Sequence, residues 1–244
     1  IQAGTFNMYG GTISHCESLF GYGGAVWVNG QLSNVSSAFN MYDGTITENK
    51  VTGSYNKNKS YGGGVCVFSG ATFTMSGGAI TKNTSNSYGG GVCIYAATAT
   101  ITGGSISENA CNTGYGGGIC NYYGTVTVSG CSIEKNTAMY GGGGAAYCVD
   151  YSTNYPGSMS LTQCTIQDNE AGDGGGVSSA FSNNVSFASC SIKNNTSTDR
   201  GGGIYAYKGS MTLNNNTELS SNGALVGGGL LVHGGAEVTL TNAT

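Results

Sequence analysis

The chain has 244 residues, of which 45 are glycine, 1 is proline and only 8% are charged. A net charge of −4 spread along the sequence excludes the clustered Lys and Arg of a nucleic-acid interface, and no apolar run approaches bilayer-spanning length, so no membrane insertion of this segment is expected. Abundant Val, Ile, Thr and Tyr exclude a disordered tail and point to strands.

In chain order the sequence is a repeat. A glycine cluster followed by an aliphatic residue begins at Gly23, Gly62, Gly89, Gly116, Gly142, Gly174, Gly201 and Gly227. Gly62, Gly89 and Gly116 are 27 residues apart, and the longer steps after Gly23 and Gly142 mark loop insertions. Alternating segments form a second marker: FNMY at Phe6 and at Phe39, then FTMS, ATIT, VTVS, MSLT, VSFA, MTLN and VTLT. A third marker, aliphatic-x-x-Asn, ends at Asn49, Asn83, Asn109, Asn136, Asn169, Asn195 and Asn222, while the first copy ends at Cys16. Three short strands in roughly 27 residues are too little for a compact domain and suit one coil of a solenoid. About eight such coils are expected, forming a single all-β parallel β-helix domain over residues 1–244. Because Ile1 falls within a repeat, the chain reads as a segment of a longer secreted protein.

Stacked coils turn equivalent residues into ladders. Val26, Val65, Val92, Ile119, Ala145, Val177, Ile204 and Leu230 are expected to form one inward column, and the marker Ile residues another. The Asn residues form a corner ladder, with glycines at the opposite corner. Two places after each marker Ile the chain reads His15, Glu48, Lys82, Glu108, Lys135, Asp168, Asn194 and Ser221. Alternating signs from Glu48 to Asp168 predict a salt-bridge ladder, each exposed pair contributing about 0.2 to 1 kcal/mol. Asp173 and Arg200, both just before a glycine cluster, are expected to pair between neighbouring coils. Of nine cysteines, Cys66, Cys93 and Cys120 share one repeat position and Cys131, Cys164 and Cys190 another; the odd count favours reduced thiols stacked inside the helix.

Repeated GGAV or GGGV (Gly23 to Val26, Gly62 to Val65, Gly89 to Val92) paired with aliphatic-x-x-Asn resembles the GGA-aliphatic and Phe-x-x-Asn repeats of chlamydial polymorphic outer membrane proteins. It is also similar to adhesin-like repeat proteins of gut bacteria and methanogens. The resemblance implies a right-handed, single-stranded parallel β-helix at a cell surface or secreted, with adhesion as its role. Ile stands for the family's Phe, and GGG for most GGA.

Function would then lie on outward residues. The strand after the glycines presents Trp27, Phe68, Tyr95, Tyr122, Tyr205 and Tyr207, beside an insertion, Val149 to Gly157, carrying Tyr151 and Tyr155. Such rows suit a host protein or glycan partner, flanked by further repeats of the same chain. On this reading, alanine at Tyr95, Tyr122, Tyr151 and Tyr155 abolishes binding with the fold intact. Thr72, Thr74, Thr98, Thr100, Thr102, Thr125 and Thr127 form a hydroxyl grid that resembles the surface of ice-binding proteins. A polysaccharide lyase or hydrolase is the third reading, but the only acidic cluster is Asp168, Glu170 and Asp173. No catalytic residue, metal site or cofactor is expected, and His15 and His233 read as solvated surface.

Overall fold

Two corners shape the coil. At one, the first glycine of each cluster takes a left-handed backbone, as at Gly89 with φ +63°. A Cβ on the second, Gly90, would lie 2.4 Å from the Gly117 oxygen and 2.5 Å from the Ala110 carbonyl carbon, so no other residue fits. The third position packs on the asparagine ladder and tolerates one methyl, which Ala25 and Ala145 supply.

The computed structural model describes residues 1–31, 36–53, 59–149, 157–182 and 184–243. Every element in them is a β-strand, and the strand ladders are parallel. One wall has eight strands, Val26–Asn29, Val65–Phe68, Val92–Tyr95, Ile119–Tyr122, Ala146–Val149, Val177–Ala180, Ile204–Tyr207 and Leu230–His233. A second carries the alternating segments, such as Thr98–Ile101, and a third the marker isoleucines, such as Ser105–Ser107. In the first two coils these walls are continuous ten-residue strands, Thr5–Ser14 and Ala38–Thr47, which joins them into one sheet. After each marker Asn from Asn49 to Asn195 runs a fourth short strand, such as Ala110–Cys111, beyond the three per coil expected. Its first four copies are two residues long, which cannot display a period.

The interior is one apolar column from Met8 to Leu213, with the marker isoleucines Ile46 to Ile192 fully buried. One register assignment needs correction. Ile119 pairs with Ala146, not Ala145, and the left-handed glycine of that coil is Gly143, not Gly142. The run GGGGAA is a GGA unit, Gly143 to Ala145, preceded by two glycines that end the short strand Thr137–Gly142.

The asparagine ladder forms as expected and does more than stack. Asn109 Nδ2 donates to Asn136 Oδ1 in the next coil (3.0 Å) and to the Ile80 carbonyl in the previous one (2.9 Å). Its Oδ1 accepts both the backbone N–H and the side-chain amide of Asn83 (2.9 and 3.0 Å). The pattern repeats from Asn49 to Asn222, and at its first end the Cys16 N–H donates to Asn49 Oδ1 at 2.9 Å. Each amide therefore ties three coils, with both its nitrogen and its oxygen paired.

The left-handed residue at this corner is the one before each Asn. His15, Glu48, Lys82, Glu108, Lys135, Asp168, Asn194 and Ser221 all have φ between +53° and +57°. The expected salt-bridge ladder does not form: among the described residues no ion pair joins Glu48, Lys82, Glu108, Lys135 and Asp168, and only His15 and Glu48 meet, at 3.0 Å. These long side chains project from a turn into solvent, where pairing contributes little against their rotamer entropy.

Asn109→Ala strands the Asn83 N–H and the Ile80 carbonyl, and is expected to lower unfolding free energy by ~3 kcal/mol or more. Glu108→Gly in the same denaturant titration is expected to be neutral or stabilising by up to ~1 kcal/mol, because glycine relieves the left-handed backbone. A clear loss of stability in Glu108→Gly would reinstate a pairing role.

Candidate functional site

In the wall after the glycine corner, the first and third residues of each strand face the core and the second and fourth face out. The second positions read Trp27, Cys66, Cys93, Cys120, Tyr147, Ser178, Tyr205 and Leu231. The fourth read Asn29, Phe68, Tyr95, Tyr122, Val149, Ala180, Tyr207 and His233. Trp27, Phe68, Tyr95, Tyr122, Tyr205 and Tyr207 therefore share one outer face, whereas Tyr151 and Tyr155 lie outside the described residues.

Cys66, Cys93 and Cys120 require a correction. They sit on the outside of the coil, not in its interior, yet are 0% exposed. The cover comes from the corner tyrosines Tyr22, Tyr61, Tyr88 and Tyr115, which bridge coil to coil. Their rings stack along the axis at 5.4, 5.2 and 6.1 Å. A second stack, Phe68, Tyr95 and Tyr122 at 4.7 and 5.2 Å, meets the first edge-on, with Tyr61 5.8 Å from Tyr95 and Tyr88 5.4 Å from Tyr122. This half of the face is a second hydrophobic core built outside the sheet. Ring faces are consumed by the neighbours above and below, so Tyr95 and Tyr122 are structural first, and their replacement would uncover the thiols. The inner position holds for Cys131, Cys164 and Cys190, which join the interior column.

The pattern breaks in the sixth coil. The corner row passes from tyrosine to Gly142, Asp173 and Arg200, and the outward residues of that coil are only Ser178 and Ala180. A cleft of about 320 Å³ opens there, bounded by Tyr115 and Tyr147 on one side and Tyr205, Tyr207 and His233 on the other. Asp173 and Arg200 pair as expected, with Nη2–Oδ2 at 2.8 Å and Nε–Oδ1 at 2.9 Å, and Asp199 adds a third contact at 3.2 Å. The guanidinium lies 5.0 Å from the Tyr205 ring centre, partly filling the place a coil-six ring would take. Arg200 Nη1 also donates to the Tyr205 hydroxyl (3.3 Å), which meets His233 Nδ1 at 3.1 Å. His233 is exposed, as expected, but it belongs to this hydrogen-bonded chain and lies 5.4 Å from the Tyr207 ring. Phe181 closes the rim, edge-on to Tyr207 at 5.3 Å, with Lys208 over it at 4.8 Å.

Electrostatics fix the states of these groups. Hydrogen bonding to Asp173 raises the Arg200 pKa, and burial raises that of Tyr205, so the pair persists as guanidinium and neutral phenol. The acidic cluster read from the sequence does not assemble: Asp168 and Glu170 are exposed, and Asp173 turns to Arg200. Among the described residues no group of three His, Cys, Asp or Glu side chains is placed to hold a metal, and no helix is long and apolar enough to cross a membrane.

The hydroxyl grid is present on the second wall. Thr72, Thr98 and Thr125 pair in register, as do Thr74, Thr100 and Thr127, and all six are exposed, as is Thr102. The row continues through Ser160, Ser186 and Thr212, where a hollow of about 290 Å³ breaks its flatness.

Sequence reasoning missed Tyr147, Ser178, Ala180 and Phe181 as site residues. The available signal was the break in the second and fourth rows of this wall, which the register slip at Ala145 hid.

The thiols give a direct check of burial in the interior column, in the outer core and beneath the short strands. All nine are free and only Cys16 is exposed. Burial pushes Cys111 and Cys131 from the ordinary 9.0 up to about 12. Their folded pKa is raised, so the stability they carry is complete below pH 9 and is lost as pH rises toward about 12, by about 1.4 kcal/mol per thiol per pH unit. A disulfide-exchange reagent is expected to titrate one thiol rapidly in the native protein near neutral pH and the other eight only on unfolding, with the unfolding midpoint falling above pH 9.

The model of the right-handed β-helix region matches residues 34–218, well over half of the chain. No curated protein and no solved structure matches significantly. With its parallel walls, single interior column and repeated corners, the chain belongs to the right-handed β-helix family.

Proposed function

We propose that this β-helix is a non-catalytic recognition module of an extracellular or cell-surface protein, an adhesin-type scaffold that binds a host glycan or glycoprotein through its aromatic wall. The observation that carries the reading is the cleft over Ser178 and Ala180, where the aromatic cover is interrupted and the second row lacks a ring between Tyr147 and Tyr205. A rigid solenoid presents such a site with little ordering cost on binding. The likeness of the GGA-aliphatic and aliphatic-x-x-Asn repeats to adhesin-like proteins supports the same role.

Chemistry argues against a lyase at this site. Elimination needs a free cation beside the substrate carboxylate and a base near its pKa. Arg200 is held by two carboxylates and the Tyr205 phenol is pushed away from ionisation. The exposed, in-register threonines of the second wall favour ice binding as a second reading, which thermal hysteresis in solution would reveal and its absence would remove.

The test is capture on immobilised mucin, immunoglobulin and host glycans. The double variant Tyr207→Ala, His233→Ala is expected to lose about tenfold or more in affinity, while Thr100→Val on the other wall binds as the parent does. Equal binding by the double variant, or no capture on any surface, overturns the proposal.

A further inference from the structure

Stacked rows leave ring faces pointing along the solenoid axis, where the next ring covers them. Only a coil that lacks its ring uncovers a place for another ring to stack. Coil six is that coil: Ser178 stands between Tyr147 and Tyr205 in the second row, and beside it in the fourth row Ala180 lies between Val149 and Tyr207.

Resting on the recognition reading above, we propose that the cleft takes a single neutral sugar ring, the end or branch residue of a glycan. The volume of about 320 Å³ is at the low end of ligand sites, enough for one ring and not for a polymer. Its lining is amphipathic in the way a pyranose is. Phe181 and Tyr207 offer apolar surface, and Asp173, Arg200 and His233 offer polar groups at the rim. The Asp173 and Arg200 side chains remain 24% and 36% exposed, so their unused lone pairs and N–H groups are within reach of ligand hydroxyls. A flat apolar ring would leave this rim unpaired, which disfavours it.

Charge decides between neutral and acidic sugars. Arg200 is neutralised by Asp173 and Asp199, and the other rim cation, Lys208, lies over the Phe181 and Tyr207 rings. One guanidinium against two carboxylates leaves the centre of the cleft without net positive charge, so a sugar carboxylate would meet repulsion there.

The experiment is saturation-transfer NMR and titration with the methyl glycosides of glucose, galactose, mannose and N-acetylglucosamine. Glucuronate, N-acetylneuraminate and N-acetyltyrosinamide are the rival ligands. At least one neutral glycoside is expected to bind. Ala180→Tyr, which sets a ring against Tyr207 and fills the cleft, is expected to weaken it by about tenfold or more with no loss of thermal stability. Asp173→Asn frees Arg200 and is expected to shift preference toward the acidic sugars. Undiminished binding in a folded Ala180→Tyr, or wild-type binding confined to the acidic sugars or the tyrosine analogue, overturns the proposal. If no neutral glycoside binds while mucin is still captured, the sugar-ring assignment fails and the recognition reading stands; if neither binds, both fail.

Discussion

The hydrogen bond from one asparagine amide to the next sets the register on which everything else depends. At that corner the backbone turns through a left-handed residue, and the ordinary parallel ladder is interrupted. The carbonyl oxygen of each Asn side chain receives the N–H that the turn would leave buried, and its amide reaches two coils at once. A slip by one residue would orphan those donors and reverse which side chains face the core. Single, unambiguous register is therefore enforced by the interior, with no need for charged side chains outside it.

That division explains why the exposed charges before each Asn are free to vary. Glu48, Lys82, Glu108, Lys135 and Asp168 alternate in sign yet, among the described residues, make no pairs with one another, because the position is defined by backbone conformation and exposure rather than by its neighbours. Alternation in a sequence suggests pairing only if the side chains lie flat on a sheet; at a turn they splay into water. The Asp173–Arg200 pair is the contrasting case. It joins strand residues in register, is partly shielded, and has bidentate geometry.

Much of the fold was legible because a β-helix writes each constraint once per coil. The Asn ladder, the isoleucine column, the glycine corner and the threonine rows were all readable from spacing. What spacing could not show was which of two buried places a cysteine occupies. Cys66 and Cys131 are both small, apolar and repeated, but one lies outside the sheet under tyrosine and the other inside it. The difference depends on Tyr61 and Tyr88 bending over from the preceding corner, a contact between positions whose sequence separation carries no periodic signal. The four-glycine run before Ala145 hid the register for a related reason: glycine at a strand end and glycine at a left-handed corner look alike in sequence.

The same geometry constrains where a solenoid of this kind can bind a compact ligand. In coils two to four the corner and fourth rows are complete, ring edges meet solvent, and ring faces are occupied by neighbouring rings. Adding more aromatic residues to such a wall would make it more stable without making it a better receptor. Removing them from one coil makes a slot whose depth is set by side chains and whose width is set by the coil spacing of about 4.8 Å. The polar groups in the slot must also find partners among themselves before any ligand arrives, and Arg200 does so with Asp173 and Asp199. On the proposed reading, recognition on this scaffold is a matter of a local omission in the repeat, and Ser178 and Ala180 matter for what they leave out.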